Sequence, residues 1–255
     1  MVWALAPVLL ASGIVGGGHV QSTELSHERL LRNFDIIVFR NEFDGRVDER
    51  LRKWVEPVRI YLDIRAGDPE ILGRIVEAHV RDLTEITGYD IATVGDREAA
   101  NVTVVFERDS RLDRVGSDYF STEFDIRMVM RTNLCFGRYH SNVAYEIFKA
   151  VIVIPTDRAM SRGKLPACIV EETTQILGLP NDSEEVFPSI FNDRSIDDEL
   201  TEQDRVLLRL LYDPRLRPGM PREQVLRRVG EILEEIGPVS DVSAVRSGAG
   251  SQGPR

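Results

Sequence analysis

The chain has few of the residues from which metal centres and disulfide scaffolds are built, with two cysteines and four histidines in 255 residues. Cys135 and Cys168 form no CxxC motif, and no histidine adjoins either of them. This excludes a disulfide-rich scaffold and leaves no zinc-binding signature. In an oxidising compartment the two cysteines predict one disulfide, which we favour over the alternative of two buried thiols.

An excess of positive charge is also missing. Lys and Arg number 32 against 42 Asp and Glu, so the formal net charge is −10. The Arg-rich stretch 205–217 is interleaved with apolar residues and Asp, which is typical of the solvated side of a helix. A nucleic-acid partner is therefore not expected. Hydrophobic residues make up 42% of the chain, which predicts a buried core.

No apolar stretch has the length of a membrane-spanning helix. The run Val2–Val15, followed by Gly16, Gly17 and Gly18, has the length of a signal-peptide core, although no Lys or Arg precedes it. We expect residues 1–20 to be a signal peptide or a short anchor, and the protein to be exported to the periplasm or cell envelope. It would then meet the membrane only through this segment. Gly13 stands where a lipidated cysteine would be, so no lipid is expected.

Hydrophobic periodicity predicts one α/β (α+β) domain over residues 34–236, between a polar lead-in (21–33) and a disordered tail (237–255). The predicted strands are Phe34–Phe43, Val58–Ile64, Asn101–Glu107, Ile126–Arg131 and Lys149–Ile154. The predicted helices are Pro69–Gly88, Pro166–Leu177, Thr201–Tyr212 and Pro221–Ile236. This order indicates a mixed sheet with the long helix packed on one side.

Side chains in two of these helices have local roles. His79 lies on the apolar stripe of the long helix, and no second histidine follows at three or four residues. We expect a core histidine with a hydrogen-bond partner rather than a metal ligand. Thr201 and Asp204 have the spacing of a capping box, which predicts a helix start.

One constellation carries functional information, the segment Glu171–Asp182 with the sequence EETTQILGLPND. Glu171 and Gln175 share a helix face, and Gly178 falls where the chain would turn. The spacing resembles the metzincin zinc-protease motif H-E-x-x-H-x-x-G-x-x-H, in which the Glu is the general base.

On that resemblance Glu172 takes the position of the general base, and Gly178 that of the turn glycine. The three histidine positions hold Glu171, Gln175 and Asn181, with Asp182 following as a turn residue. Downstream, Pro188–Ser195 resembles the metzincin Met-turn, with Phe191 in place of the Met. The resemblance covers Trp54–Tyr212 and implies a metzincin-like mixed sheet with a long packed helix, an active-site-type helix and a C-terminal helix.

A second resemblance is carried by longer motifs, CIVEETTQILGLPND at Cys168–Asp182, SIFND at Ser189–Asp193 and LYDPRLRPGM at Leu211–Met220. These are similar to a proteobacterial family of unknown function, domain of unknown function 2927, some members of which are described as lipoproteins. The family implies no activity.

Three functions remain open. The residues favour an envelope protein with a degenerate, non-catalytic metzincin-like domain that binds a peptide or protein partner. No cofactor is expected: the degenerate positions offer oxygen ligands, so zinc is disfavoured while Ca²⁺ or Mg²⁺ stays open. The alternative is an active metallopeptidase with unusual oxygen ligands and Glu172 as base. The third is a structural domain in which Glu171 and Glu172 are adjacent carboxylates on a solvated helix.

Overall fold

The computed structural model describes residues 23–40, 47–121, 124–192 and 194–241. Its helices are α1 His27–Phe39, α2 Pro69–Thr87, α3 Leu112–Tyr119, α4 Ile126–Val129, α5 Thr156–Ser161, α6 Leu165–Gln175, α7 Glu202–Tyr212 and α8 Arg222–Ile236. Its strands are β1 Thr23–Leu25, β2 Lys53–Trp54, β3 Val58–Ile64, β4 Ile91–Thr93, β5 Val102–Glu107, β6 Phe136–Ser141, β7 Glu146–Pro155 and β8 Val239–Asp241. The predicted α/β class is confirmed.

The central sheet has the order β2-β7-β5-β3-β4, with all of these strands parallel to their neighbours. β6 pairs with β7 alone and runs antiparallel to it. It lies on the opposite side of β7 from β5 and the short β2, because Ile147 pairs with both Trp54 of β2 and Ser141 of β6. A second, two-stranded sheet joins β1 to β8. Among the described residues, β6 therefore has an outer edge open to pairing, and the three-residue β4 forms the opposite edge of the sheet.

The sheet is buried on both faces because side chains alternate along each strand. Val104 and Ile152 point into the larger core, which α2, α6 and α7 cover. Val105 and Val153 point into a smaller core closed by α3 and α4. The near-continuous apolar sequence of β7 follows from this two-sided burial, as the sequence predicted.

The long helix and the two C-terminal helices match their predictions. Asp68 caps α2 by accepting from the amides of Glu70 and Ile71, and Gly88 ends it in a left-handed conformation. The capping box of Thr201 and Asp204 opens α7. His79 is a core histidine, as predicted: it is 6% exposed, and its Nε2 lies 3.1 Å from Thr174 Oγ1.

Two strand predictions are wrong. Phe34–Phe39 forms the second half of α1; residues 41–43 of the predicted strand lie outside the described residues. Its C-terminal end is apolar on every side, and a short run of that kind fits a buried helix as well as a strand. Ile126–Val129 is the short helix α4, because Asp125 caps it by accepting from the amides of Arg127 and Met128.

The two ends of the predicted domain also differ from expectation. In place of a loose lead-in, residues 23–33 contain β1 and the first part of α1, whose N-cap is Ser26. In the expected tail, Val239–Asp241 forms β8 against β1. The expected signal peptide at 1–20 and the rest of the tail lie outside the described residues. No helix in the described ranges has the length and apolarity needed to cross a membrane.

Candidate functional site

The helix α6 carries the predicted constellation, and its end is fixed by the backbone. Gly178 has φ +115°, and a Cβ there would lie 2.8 Å from the carbonyl oxygen of Arg52. Trp54 Nε1 donates to the carbonyl of Ile176 at 2.8 Å, and the Tyr212 hydroxyl donates to that of Leu177 at 2.9 Å. The glycine is therefore required both by conformation and by this close approach.

Glu172 is buried, with 6% of the residue exposed, whereas the adjacent Glu171 is half-buried. The Glu172 carboxylate lies directly over Gly137 in β6: a Cβ built on Gly137 would lie 2.7 Å from Glu172 Oε2. Any larger residue at 137 would force this carboxylate to move. Because Glu172 packs against β6, α6 is not the solvated helix that the structural-domain alternative requires.

The other two degenerate ligand positions, Gln175 and Asn181, make hydrogen bonds to different parts of the structure. Gln175 Nε2 donates to Asp182 Oδ1. Asn181 points elsewhere: its Nδ2 donates to the carbonyl of Ile36 at 3.1 Å, and its amide to that of Ile37 at 3.3 Å. Asn181 therefore anchors α1. In the described ranges, no three His, Cys, Asp or Glu side chains are grouped so as to hold a metal ion.

The segment resembling a Met-turn is held by one buried carboxylate. Asp204 accepts from Ser189 Oγ at 2.6 Å, from the amide of Ile190 at 2.9 Å and from both polar groups of Thr201. Burial raises the pKa of Asp204 to about 6, although each of these hydrogen bonds lowers it. Phe191 is fully buried in the larger core, so its ring has a packing role beneath the site.

A cavity of about 300 Å³ opens between α6, the start of β6 and the turn after Ile190. Glu171, Glu172 and Asp182 line it, whereas Gln175 and Asn181 do not. The remaining lining residues are 132–137, Arg162, Lys164, Ala167, Cys168, Ile190, Asn192, Ser195 and Asp197. The structure thus brings together three residues of the predicted constellation and the two predicted disulfide cysteines, and it adds wall residues that sequence reasoning missed.

That wall is fixed at two points. The predicted disulfide is present: Cys135, just before β6, is bonded to Cys168 of α6, with 5.9 Å between the Cα atoms. On the other side, Arg158 of α5 donates to the carbonyls of Met130, Asn133 and Leu134 at 2.9–3.0 Å. The disulfide partner was visible in the sequence, whereas the contacts of Arg158 with backbone groups leave no sequence signal.

The outer edge of β6 presents backbone groups that pair with no strand in the described part of the chain. The Ala150 amide donates to the Asn101 carbonyl at 2.9 Å, on the β5 side of β7. Because backbone groups alternate in direction along a strand, the amides of Val151 and Val153 point toward β6. Their register partners, Arg138 and Phe136, are the hydrogen-bonded residues of β6. Gly137 and Tyr139 alternate with them and direct both N–H and C=O outward, beside the cavity.

Fold and site together define an α/β protein with a cavity beside the open edge of an antiparallel strand. The family described as Protein of unknown function (DUF2927) matches residues 27–231. The chain belongs to this family, as its motifs predicted. No curated protein matches the chain.

Proposed function

We propose that this protein is a non-catalytic binding protein of the cell envelope that takes an extended peptide or protein segment along β6. The observation that carries the proposal is the outward direction of the Gly137 and Tyr139 backbone groups beside a cavity of about 300 Å³. A bound segment extends the central sheet by one strand, so main-chain hydrogen bonds supply affinity and side-chain pockets supply selectivity.

The expected affinity is modest. Four backbone groups of β6 face outward, and a typical hydrogen bond contributes a net of about 0.5–1.5 kcal/mol. Their sum offsets only part of the entropy lost when a flexible segment is immobilised. Specific binding therefore depends on side chains that enter the cavity or lie against the opposite face of β6.

A degenerate metzincin-like cleft is part of the same proposal. The order of strand, long helix, strands and site helix supports it, as does the turn at Gly178. The donor set does not favour catalysis. Asn181 is committed to α1, and amide oxygens are weak zinc ligands. An envelope location is supported by the disulfide, which persists in oxidising compartments.

The strand pairing can be tested from the ligand side. Peptides selected from a phage-displayed random 12-residue library on the immobilised protein are resynthesised with single N-methyl groups at successive amides. Strand addition predicts that affinity falls at every second position and is unchanged between, because only alternate amides face β6. A uniform response to N-methylation would overturn the proposal.

The protein side offers a matched pair. Tyr139→Pro removes the outward N–H without removing a bond to β7, whereas Tyr139→Ala removes the same ring and keeps the N–H. We expect Tyr139→Pro to bind the selected peptides about tenfold more weakly than Tyr139→Ala, one tenfold step corresponding to about 1.4 kcal/mol. Equal binding by the two variants would contradict pairing at this edge.

A metal titration separates the binding function from the metallopeptidase alternative. If the protein is a non-catalytic binding protein, calorimetric titration with Zn²⁺, Ca²⁺ and Mg²⁺ should show no stoichiometric binding that depends on Glu171. A bound ion that is lost in Glu171→Ala, together with peptide cleavage that is lost in Glu172→Ala, would replace the binding function by catalysis.

A further inference from the structure

The two sides of a strand added to β6 would meet different surfaces. Side chains of cross-strand neighbours lie on the same face of a sheet. A residue opposite Gly137 or Tyr139 therefore points toward α6 and the cavity. A residue opposite Phe136 or Arg138 points toward the other face, where α3 and α4 lie.

The other face carries a group of stacked rings, which we call the aromatic shelf: Phe120, Phe124 and Phe136. Ring centroids are 4.6 Å apart for Phe120 and Phe124 and 5.6 Å apart for Phe124 and Phe136. Phe136 is buried on β6 itself, whereas Phe120 and Phe124 are only partly buried. The Arg138 guanidinium lies 5.2 Å from the centre of the Phe124 ring. The shelf thus places partly exposed aromatic surface beside Phe136 and Arg138 of β6.

The cavity side has a different character. Its wall includes Glu171, Glu172, Asp182 and Asp197 together with Arg162 and Lys164. Charged groups of both signs disfavour the burial of an apolar side chain among them, because such a side chain replaces water without offering hydrogen bonds. A polar side chain is the better match on this side.

From this contrast we infer that the partner is an amphipathic strand, with aromatic or large aliphatic residues against the aromatic shelf and polar residues toward the cavity. The inference rests on the proposed strand addition and names the class of segment that β6 accepts. Aromatic pairs contribute about 0.5–1.5 kcal/mol beyond the area that they bury, so the shelf favours rings in particular. Phe124 is then a specificity-determining residue.

The experiment compares two capped, fluorescein-labelled nine-residue peptides by fluorescence polarisation. In both, Thr and Lys occupy one face of the strand; the alternate positions are Phe in one peptide and Ala in the other. We expect the wild-type protein to bind the Phe peptide about tenfold more tightly than the Ala peptide. Phe124→Ala should reduce this preference to about twofold, mainly by weakening the binding of the Phe peptide.

Phe148→Ala is the matched control, because this ring on β7 is 52% exposed and its ring neighbour is His140 rather than a member of the aromatic shelf. It should keep the full preference, and thermal melts of both variants check that they fold. Equal affinity for the two peptides overturns the aromatic shelf alone, provided that binding responds to alternate N-methylation. If neither these peptides nor the library-selected ones respond to alternate N-methylation or to Tyr139→Pro, the strand-addition function falls as well.

Discussion

Acid should destabilise this protein through one buried imidazole. His79 of α2 faces α6, where Thr174 Oγ1 lies 3.1 Å from its Nε2. The Thr174 hydroxyl already donates to the carbonyl of Val170 at 2.6 Å, so Nε2 must donate to the hydroxyl oxygen. The site therefore holds the neutral Nε2–H tautomer. Burial lowers the pKa of His79 from 6.5 to about 4; Asp82 and a backbone hydrogen bond at Val170 oppose this shift, and Arg205 reinforces it.

The sign follows from proton counting. Below pH 6.5 His79 binds a proton in the unfolded chain, whereas in the folded chain it stays neutral until the pH reaches about 4. The free energy of unfolding therefore decreases as the pH falls through this window. With about 1.4 kcal/mol per pKa unit, the loss between pH 7 and pH 4.5 is about 2.5 kcal/mol.

The assay is urea denaturation of the wild type and of His79→Gln at both pH values. Gln stays neutral and keeps a donor for Thr174. Other groups titrate in the same range; Asp204, whose pKa is raised to about 6, has the opposite sign. The contributions of these groups cancel when the free energy of unfolding of the variant is subtracted from that of the wild type. This difference should decrease by about 2.5 kcal/mol between pH 7 and pH 4.5. A difference that stays constant with pH would refute the reasoning.

Two further predictions concern the backbone. Reducing the Cys135–Cys168 disulfide releases a loop with a sequence separation of 33. It should lower the free energy of unfolding by about 3–4 kcal/mol and the melting temperature by roughly 10 °C, with two thiols becoming titratable; an unchanged melting temperature would contradict this. Gly178→Ala should cost about 1–3 kcal/mol, because φ is +115° and the new Cβ meets the Arg52 carbonyl. Its matched control Gly73→Ala, mid-helix with nothing within 4 Å of the added Cβ, should instead stabilise by about 0.5–1 kcal/mol.

The sequence predicted those elements whose local signals agree with their burial. α2 has a cap at each end and one apolar stripe, and α7 opens on a capping box, so both were found. α1 was mistaken for a strand because Ile36, Ile37, Val38 and Phe39 are all buried. When a helix is enclosed on every side, its sequence has no polar face and the helical period disappears.

The candidate site divides in the same way. Glu171, Glu172 and Asp182 were found because neighbours on one helix and its turn leave a spacing pattern in the sequence. Asn181 occupies a ligand position in that pattern, yet its side chain binds α1, a contact across 145 residues that spacing cannot show. The part of the cavity wall around Gly137 was missed for a related reason. Gly137 lies against the carboxylate of Glu172, 35 residues further along the chain, and the outward direction of the Gly137 backbone groups is set by the register of β6 with β7.

The roles of the motif side chains in this structure differ from those in a protease. In a protease of the metzincin kind, the helix spacing and the chemistry coincide, because the helix side chains themselves bind the metal. Here the side chains at those positions serve the fold: Glu172 packs over the edge strand and Asn181 holds α1. On the proposed strand addition, recognition relies on the main chain at Gly137 and Tyr139, on the rings beside it and on the polar cavity wall. A function carried by backbone groups constrains few residue types. It follows that substitutions at Phe124 and Tyr139, rather than at the motif itself, are the ones that should change what this protein binds.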